Sequence, residues 1–258
     1  MKTVHKALTI IELLSHEMLS SKEISIRLDI HKSTASRLLA TLKKKNFIKL
    51  DKNKKYGIGF AIFEIANRFL NTVELVSIAK PYLQKLYEKT GESIHLGIID
   101  REEIIYLYKI ESEHPIRMYS SIGKRVISYC TGLGKAILAY LPEKELERLI
   151  KNIDFKRFTK NTITNSERLM IELKKIKDEG IAYDNEEHEE GIFCIACPIL
   201  NFYREVIASI SITAMTKYKT MDELKKFKND ILDASMKISR EFGYCERHIH
   251  KLGDDDLF

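Results

Sequence analysis

The chain has 258 residues, of which 44 % are hydrophobic and 31 % are charged. This is enough apolar material for two domains with their own cores, and it excludes collagen-like and low-complexity chains. No apolar run reaches the roughly 18 residues that a membrane-spanning helix needs, and the N-terminus passes directly into a helical pattern that contains Glu12. Four cysteines are too few for a disulfide framework. We therefore expect a cytoplasmic protein without a membrane partner.

The net charge of +6 is concentrated in the first sixty residues. Residues 1–60 hold 13 lysines and arginines against 5 acidic residues, a net charge of +8, whereas the remainder holds 30 against 32. A basic module joined to a nearly neutral body indicates contact with a polyanion. A solvated lysine-rich face is the alternative that charge alone leaves open.

The pattern of residues 1–60 predicts a winged helix-turn-helix. Apolar side chains at helical spacing mark a first helix around residues 7–14, and residues 20–23 form a capping box that begins a short second helix. A tight turn at 29–32 precedes a third, amphipathic helix over 33–45. Two short strands at 47–50 and 56–58 then enclose a highly charged tip, which is typical of a basic wing.

The exposed face of the third helix has the chemistry of a DNA-binding surface. Small hydroxyls near its start can approach phosphates and base edges, and Arg37 is long enough for a bidentate contact with guanine. Wing lysines suit the phosphate backbone. A winged helix that docks proteins is the less favoured alternative. The predicted contacts to double-stranded DNA are Ser21, Lys32, Ser33, Thr34, Ser36, Arg37, Lys43, Lys54 and Lys55.

The rest of the chain predicts helices and an antiparallel sheet, an α+β sensor-type domain. Helical patterns cover 61–76 and 81–90, with Pro81 placed in a first turn. Strands are predicted over 93–99, 104–110, 117–121, 125–129, 192–200 and 206–214. Further helices are predicted over 131–141, 143–151 and 166–179, and a capping box at 220–223 begins a last helix that runs to about residue 244.

Two features of this second part could hold a ligand. Gly132 and Leu133 open a helix directly after a strand, so their free amides could bind a carboxylate, although an ordinary strand-to-helix turn explains them as well. Ser211 and Thr213 are two residues apart, which places both hydroxyls on one face of a strand. Satisfied hydroxyls in a core strand are the competing interpretation.

Seven segments resemble the IclR family of bacterial transcriptional regulators. They are residues 6–14 (KALTIIELL), 32–42 (KSTASRLLATL), 56–59 (YGIG), 90–96 (TGESIHL), 132–139 (GLGKAILA), 183–187 (YDNEE) and 191–199 (GIFCIACPI). The resemblance implies a winged helix-turn-helix over 1–60, a linker helix over 61–78 and a GAF-like effector-binding domain over 79–250. It implies a regulator that binds a near-palindromic operator as a homodimer or a dimer of dimers.

The resemblance also implies the effector and its pocket. Similar proteins bind a small organic acid, often a 2-oxo acid, a sugar acid or an aromatic acid. Tyr129, Cys130 and Cys197 depart from the family's usual residues, which leaves the identity of the acid open. The pocket positions that match are Met118, Val126, Gly132, Leu133, Asp184, Ile192, Cys194, Ser211 and Thr213. An Asp184 carboxyl beside an anion requires a donor on the ligand or a proton on the carboxyl.

Metal and catalytic sites are not expected. Cys194 and Cys197 lie in a predicted strand at an odd separation, which directs their sulfurs to opposite faces. Cys245, His248 and His250 lie in a polar tail, and His188 lies among acids and is expected to be solvated. No metalloprotease, nucleotide-binding or nucleophile motif is present, so we expect no cofactor and no enzyme. An enzyme domain tethered to a DNA-binding head and a redox switch through Cys194 or Cys130 remain the alternatives.

Overall fold

The computed structural model describes residues 2–72, 74–116 and 118–245. These residues form two compact units, which divide between Thr72 and Glu74. None of the described helices is both long and apolar enough to cross a membrane. In chain order the elements are α1 (Lys2–His16), β1 (Leu19–Ser20), α2 (Ser21–Arg27), α3 (Lys32–Lys44), β2 (Ile48–Leu50), β3 (Lys55–Ile58), α4 (Phe60–Thr72), α5 (Glu74–Thr90), β4 (Ser93–Asp100), β5 (Glu103–Ile110), β6 (Arg125–Ile127), α6 (Gly132–Leu138), α7 (Glu143–Asn152), α8 (Ser166–Glu179), β7 (Ala182–Asn185), β8 (Ile192–Leu200), β9 (Val206–Met215), α9 (Met221–Lys225) and α10 (Lys228–Glu241).

The first unit has the predicted winged helix-turn-helix fold. Its small antiparallel sheet has the order β1-β3-β2, in which the two-residue strand β1 was not predicted. A common core joins the three helices to this sheet, so the hairpin β2–β3 is fixed relative to α3. The core includes Ile10, Leu19, Ile24, Leu39 and Ile48.

Local capping determines where α2 and α3 begin. Ser20 and Glu23 form the predicted capping box at the start of α2. Asp29 has a φ of 47°, a left-handed conformation that Asp tolerates better than most residues, and it forms the tight turn. The α3 helix begins at Lys32 because the His31 imidazole accepts the amide hydrogen of Ser33.

The second unit is built on a six-stranded antiparallel sheet with the order β6-β5-β4-β9-β8-β7. Helix α6 packs on β7, β8, β9 and β4, whereas α5 and α10 pack on β4, β5, β8 and β9. Cys194 and Ala196 of β8 contact the start of α6, so Ile195 and Cys197 point to the opposite face of the sheet. The predicted α+β class is therefore confirmed.

Several element predictions need correction. Pro81 lies inside α5 rather than in a first turn. The proline removes one helix hydrogen bond, but the buried face formed by Leu75, Ala79 and Leu83 continues through it and holds the helix against the sheet. Residues 118–121 form no strand, and Arg117 lies outside the described residues. The last helix is divided into α9 and α10, and β7 was missed as a strand.

Candidate DNA-binding surface and ligand cavity

The residues predicted to contact DNA lie on α2, on α3 and in the β2–β3 hairpin. Ser21 and Thr34 are half-buried, and the exposed members are Lys32, Ser33, Ser36, Arg37, Lys43, Lys54 and Lys55. Ser33, Ser36 and Arg37 share one face of α3, while Leu38 and Leu39 face the core. No described carboxylate lies within salt-bridge distance of these cations. Their charges are thus available to an external polyanion.

Asp51 shapes the tip of the hairpin, a role that the sequence analysis missed. One of its carboxylate oxygens accepts the amide hydrogens of Asn53 at 2.9 Å and Lys55 at 2.7 Å. These bonds close a turn in which Lys54 adopts a φ of 60°. The Asp-x-Asn pattern in the sequence is the signal that could have revealed it.

A groove of about 220 Å³ runs beside Arg37 between α1 and α3. It is lined by Thr3, Lys6, Thr34, Arg37, Leu38 and Thr41. Lys6 therefore brings a second cation to the same surface as Arg37. It was not among the predicted contacts because only the packing of α1 on α3 brings it there.

The second unit contains a cavity of about 70 Å³ at the start of α6. All nine residues predicted for the effector pocket line it: Met118, Val126, Gly132, Leu133, Asp184, Ile192, Cys194, Ser211 and Thr213. Eight further residues complete the lining: His95, Tyr106, Tyr119, Ser120, Lys124, Thr131, His188 and Glu189. The lining comes from the strands of the sheet, from the start of α6 and from the segment 118–124.

Strand register explains why these polar residues meet. Cys194 is paired with Asp184 on one side and with Thr213 on the other, which places the three side chains in one row across β7, β8 and β9. Ser211 is paired with His95 of β4 in the next row. Their polar atoms are joined, since Thr213 Oγ1 lies 3.3 Å from both Ser211 Oγ and His95 Nδ1.

Gly132 is required by the close approach of α6 to the sheet. A Cβ atom at this position would lie 2.5 Å from the sulfur of Cys194, well inside van der Waals contact. Thr131 caps the helix by accepting the amide hydrogen of Gly134. The first turn of α6 thus lies directly against Asp184 and Cys194.

The loop segment 118–124 was not expected to contribute polar groups to this cavity. Ser120 Oγ lies 3.0 Å from His95 Nε2, and the Lys109 ammonium donates to the Ser120 carbonyl at 2.9 Å. The Lys124 ammonium lies 4.0 Å from the centre of the Tyr119 ring and donates to its carbonyl. Sequence periodicity cannot reveal such contacts because the path of a loop depends on the sheet beneath it.

Burial determines the charges around the cavity. It raises the pKa of Asp184 to about 7, although the nearby Lys135 ammonium opposes this shift. Burial, together with the charge of Lys109, lowers the pKa of His95 to about 3, so its imidazole is neutral. The cavity therefore has one carboxyl group that is close to half-protonated at neutral pH.

The three buried cysteines lie in surroundings that disfavour reactivity. Burial raises the pKa of the Cys130, Cys194 and Cys197 thiols far above its usual range, which disfavours the reactive thiolate. No group of metal ligands occurs among the residues that the structure describes.

His188 was predicted to be solvated, but the structure shows it half-buried at the cavity. Its Nδ1 lies 3.8 Å from the Cys130 sulfur, because the turn after β7 brings the imidazole to the cavity. His248 and His250 lie outside the described residues.

A buried ion pair supports the cavity from below. Lys135 of α6 is fully buried, and its ammonium bonds to the carboxylate of Glu187 and lies 3.8 Å from that of Glu172. The Glu187 amide in turn donates to Asp184 at 2.8 Å. The second carboxylate oxygen of Glu187 is buried without a hydrogen-bond partner among the described residues. The pair ties α6 to the turn after β7, whose Glu187 amide bonds to Asp184.

Two family models match the chain. The IclR helix-turn-helix domain matches residues 3–52, and the C-terminal domain of the bacterial transcriptional regulator IclR matches residues 67–240. The chain belongs to the IclR family of bacterial transcriptional regulators. It is 35 % identical to the HTH-type transcriptional regulator KdgR of Escherichia coli over 244 residues, which cover 94 % of this chain and 93 % of KdgR.

Solved structures agree with this assignment. The structure resembles that of Thermotoga maritima IclR with a TM-score of 0.82 and 34 % identity, over 94 % of this chain and 99 % of that one. It also resembles an IclR homologue from Microbacterium hydrocarbonoxydans complexed with 4-hydroxybenzoate, with a TM-score of 0.81 over 93 % and 99 % of the two chains. At 17 % identity this second likeness shows the fold alone. The protein is thus a transcriptional regulator with a DNA-binding and an effector-binding domain, and its named relatives are regulators rather than enzymes.

Proposed function

We propose that this IclR-family regulator binds its operator under the control of a small organic acid held in the cavity at α6. The carrying observation is that the polar side chains of Asp184, Thr213 and Ser211 line one small cavity. A 2-oxo acid, a sugar acid or an aromatic acid offers the carboxylate and oxygen atoms that such groups bind. The 4-hydroxybenzoate in the Microbacterium hydrocarbonoxydans homologue is an aromatic acid.

The winged helix is proposed to read DNA in two ways. Arg37 and the hydroxyls of α3 contact base edges in the major groove, and Lys54 and Lys55 contact the phosphates beside it. We assign the DNA-binding domain to residues 1–60, a linker helix to 61–78 and the effector domain to 79–250. The protein would act in the cytoplasm, where its operator is located.

One winged helix contacts few base pairs, so we expect a homodimer on a near-palindromic operator, or a dimer of dimers. The available surface is apolar and exposed on α1 and α4, where Leu8 is 56 % and Phe63 is 68 % exposed. The variant Phe63→Glu should shift the protein toward monomers and weaken operator binding without unfolding the first unit. Gel filtration at micromolar concentration measures this. A wild-type protein that elutes only as a monomer would contradict the proposal.

Ser211→Ala should separate ligand response from DNA binding. The side chain lines the cavity of the second unit, so operator affinity without effector should be unchanged while the effector loses its influence. Fluorescence anisotropy with labelled operator, titrated with acids of the three classes, measures both quantities. Ser166→Ala, a half-buried serine at the start of α8 that does not line the cavity, is the control. An unchanged effector response in Ser211→Ala would refute the assignment of the cavity.

A further inference from the structure

Ionisable side chains from several elements lie around the Asp184 carboxyl. They are Lys135 of α6, Cys130 before it, Glu187 and His188 after β7, Cys194 of β8 and Tyr106 of β5. Burial raises the pKa of both thiols and of the Tyr106 hydroxyl, and it lowers the pKa of His188 below its usual value. These four side chains are therefore uncharged between pH 7 and 8.

The remaining charged groups near Asp184 bring no net positive charge to it. The buried Lys135 ammonium bonds to the carboxylate of Glu187 and lies 3.8 Å from that of Glu172, so two carboxylates offset this one cation. At the more exposed end of the cavity, Lys124 and Glu189 have opposite signs. The charge of the inner cavity is consequently that of the Asp184 carboxyl itself.

The size of the cavity forces any bound anion close to this carboxyl. The cavity has a volume of only about 70 Å³, so the charge of an acid held in it lies within a few ångströms of Asp184. Two like charges at that distance in a water-poor site repel each other strongly. The Asp184 carboxyl is 6 % exposed and cannot turn away to solvent without breaking its bond to the Glu187 amide.

We propose that an acidic effector binds this cavity together with one proton, which is taken from solvent and held by the carboxyl group of Asp184. The bound state then contains the effector anion and a neutral carboxyl that can donate a hydrogen bond to it. This inference rests on the proposed effector site and adds a dependence on pH. Because the pKa of Asp184 is already raised to about 7, the proton is available near neutrality.

Calorimetric titration of the full-length protein between pH 6 and pH 9 tests the proposal. The probes are pyruvate, D-gluconate and benzoate, which remain monoanions over this range. We expect a Kd that is nearly constant below pH 7 and rises by about tenfold per pH unit above it. Titrations at pH 8 in buffers of different ionisation enthalpy should report the uptake of about one proton.

Two variants identify the titrating group. Asp184→Asn is nearly isosteric, keeps an acceptor for the Glu187 amide and should remove the pH slope. Glu190→Gln, an exposed carboxylate outside the cavity, should keep it. A flat wild-type profile, or an equal slope in Asp184→Asn, would overturn this inference while leaving the effector site intact. If none of the three acids binds at pH 6, both proposals fail.

Thermal unfolding without ligand provides a second measurement. An aspartate whose pKa is raised on folding binds more protons in the folded state, so its contribution to stability is present at low pH and is lost as pH rises from about 4 through 7. Wild type should therefore lose stability relative to Asp184→Asn over this window. If the difference in stability between wild type and Asp184→Asn stays constant over this pH window, Asp184 does not titrate there and the inference is overturned.

Discussion

Arg37→Ala is expected to cost about 1–3 kcal/mol of binding free energy on the cognate operator and to flatten discrimination at one base position. The side chain is exposed on the same face of α3 as Ser33 and Ser36, and no described carboxylate pairs with it. Its guanidinium can therefore form a bidentate contact with guanine without first breaking an internal bond. Fluorescence anisotropy with the operator and single-base variants measures the loss.

The wing provides the matched control for Arg37. Lys54→Ala or Lys55→Ala should weaken binding to operator and random DNA alike, because a phosphate contact carries no direct sequence information. Each should lower the slope of log K against log salt concentration by about 0.9. If Arg37→Ala behaves like the wing variants, the side chain contacts a phosphate and the assignment of base recognition to it is wrong.

Lys135→Met is expected to destabilise the effector-binding unit by about 3–5 kcal/mol. The ammonium is fully buried and bonds to Glu187, whose other oxygen already lacks a partner among the described residues. Removing the cation leaves a buried carboxylate with no compensating charge. A fall in Tm of roughly 10 °C should follow for a unit of this size.

The pH dependence of that loss distinguishes charge from packing. Burial raises the pKa of Glu187, and loss of the Lys135 charge removes the main interaction that lowers it. The folded variant should therefore bind a proton at Glu187. Its loss of unfolding free energy relative to wild type should then be small at pH 5 and grow as pH rises. Lys175→Met, at an exposed position of α8, is the control. Adding Glu187→Leu to Lys135→Met should restore much of the stability, and a loss independent of pH would contradict the mechanism.

The relation between sequence and structure differs between the two units. In the first, local signals determine nearly everything: the Ser20 capping box, the Asp29 turn and the amphipathic pattern of α3 each act over a few residues. The exceptions are Asp51 and Lys6. Asp51 was overlooked although its pattern is local, whereas the position of Lys6 beside Arg37 depends on helix packing.

The sequence by itself determined the winged helix, the antiparallel α+β sheet and a set of nine residues that line one cavity. The hydrophobic period, the capping residues and the family motifs are patterns of residues that are close in the chain. They can therefore be recognised without knowledge of the fold. Only the tertiary structure brought His95, Lys124 and His188 to that cavity and buried Lys135 against Glu187. These contacts depend on strand register and on the path of a loop, which join residues distant in the chain. The protonation of buried groups such as Asp184 follows from this burial, which cannot be deduced from the order of residues along the chain.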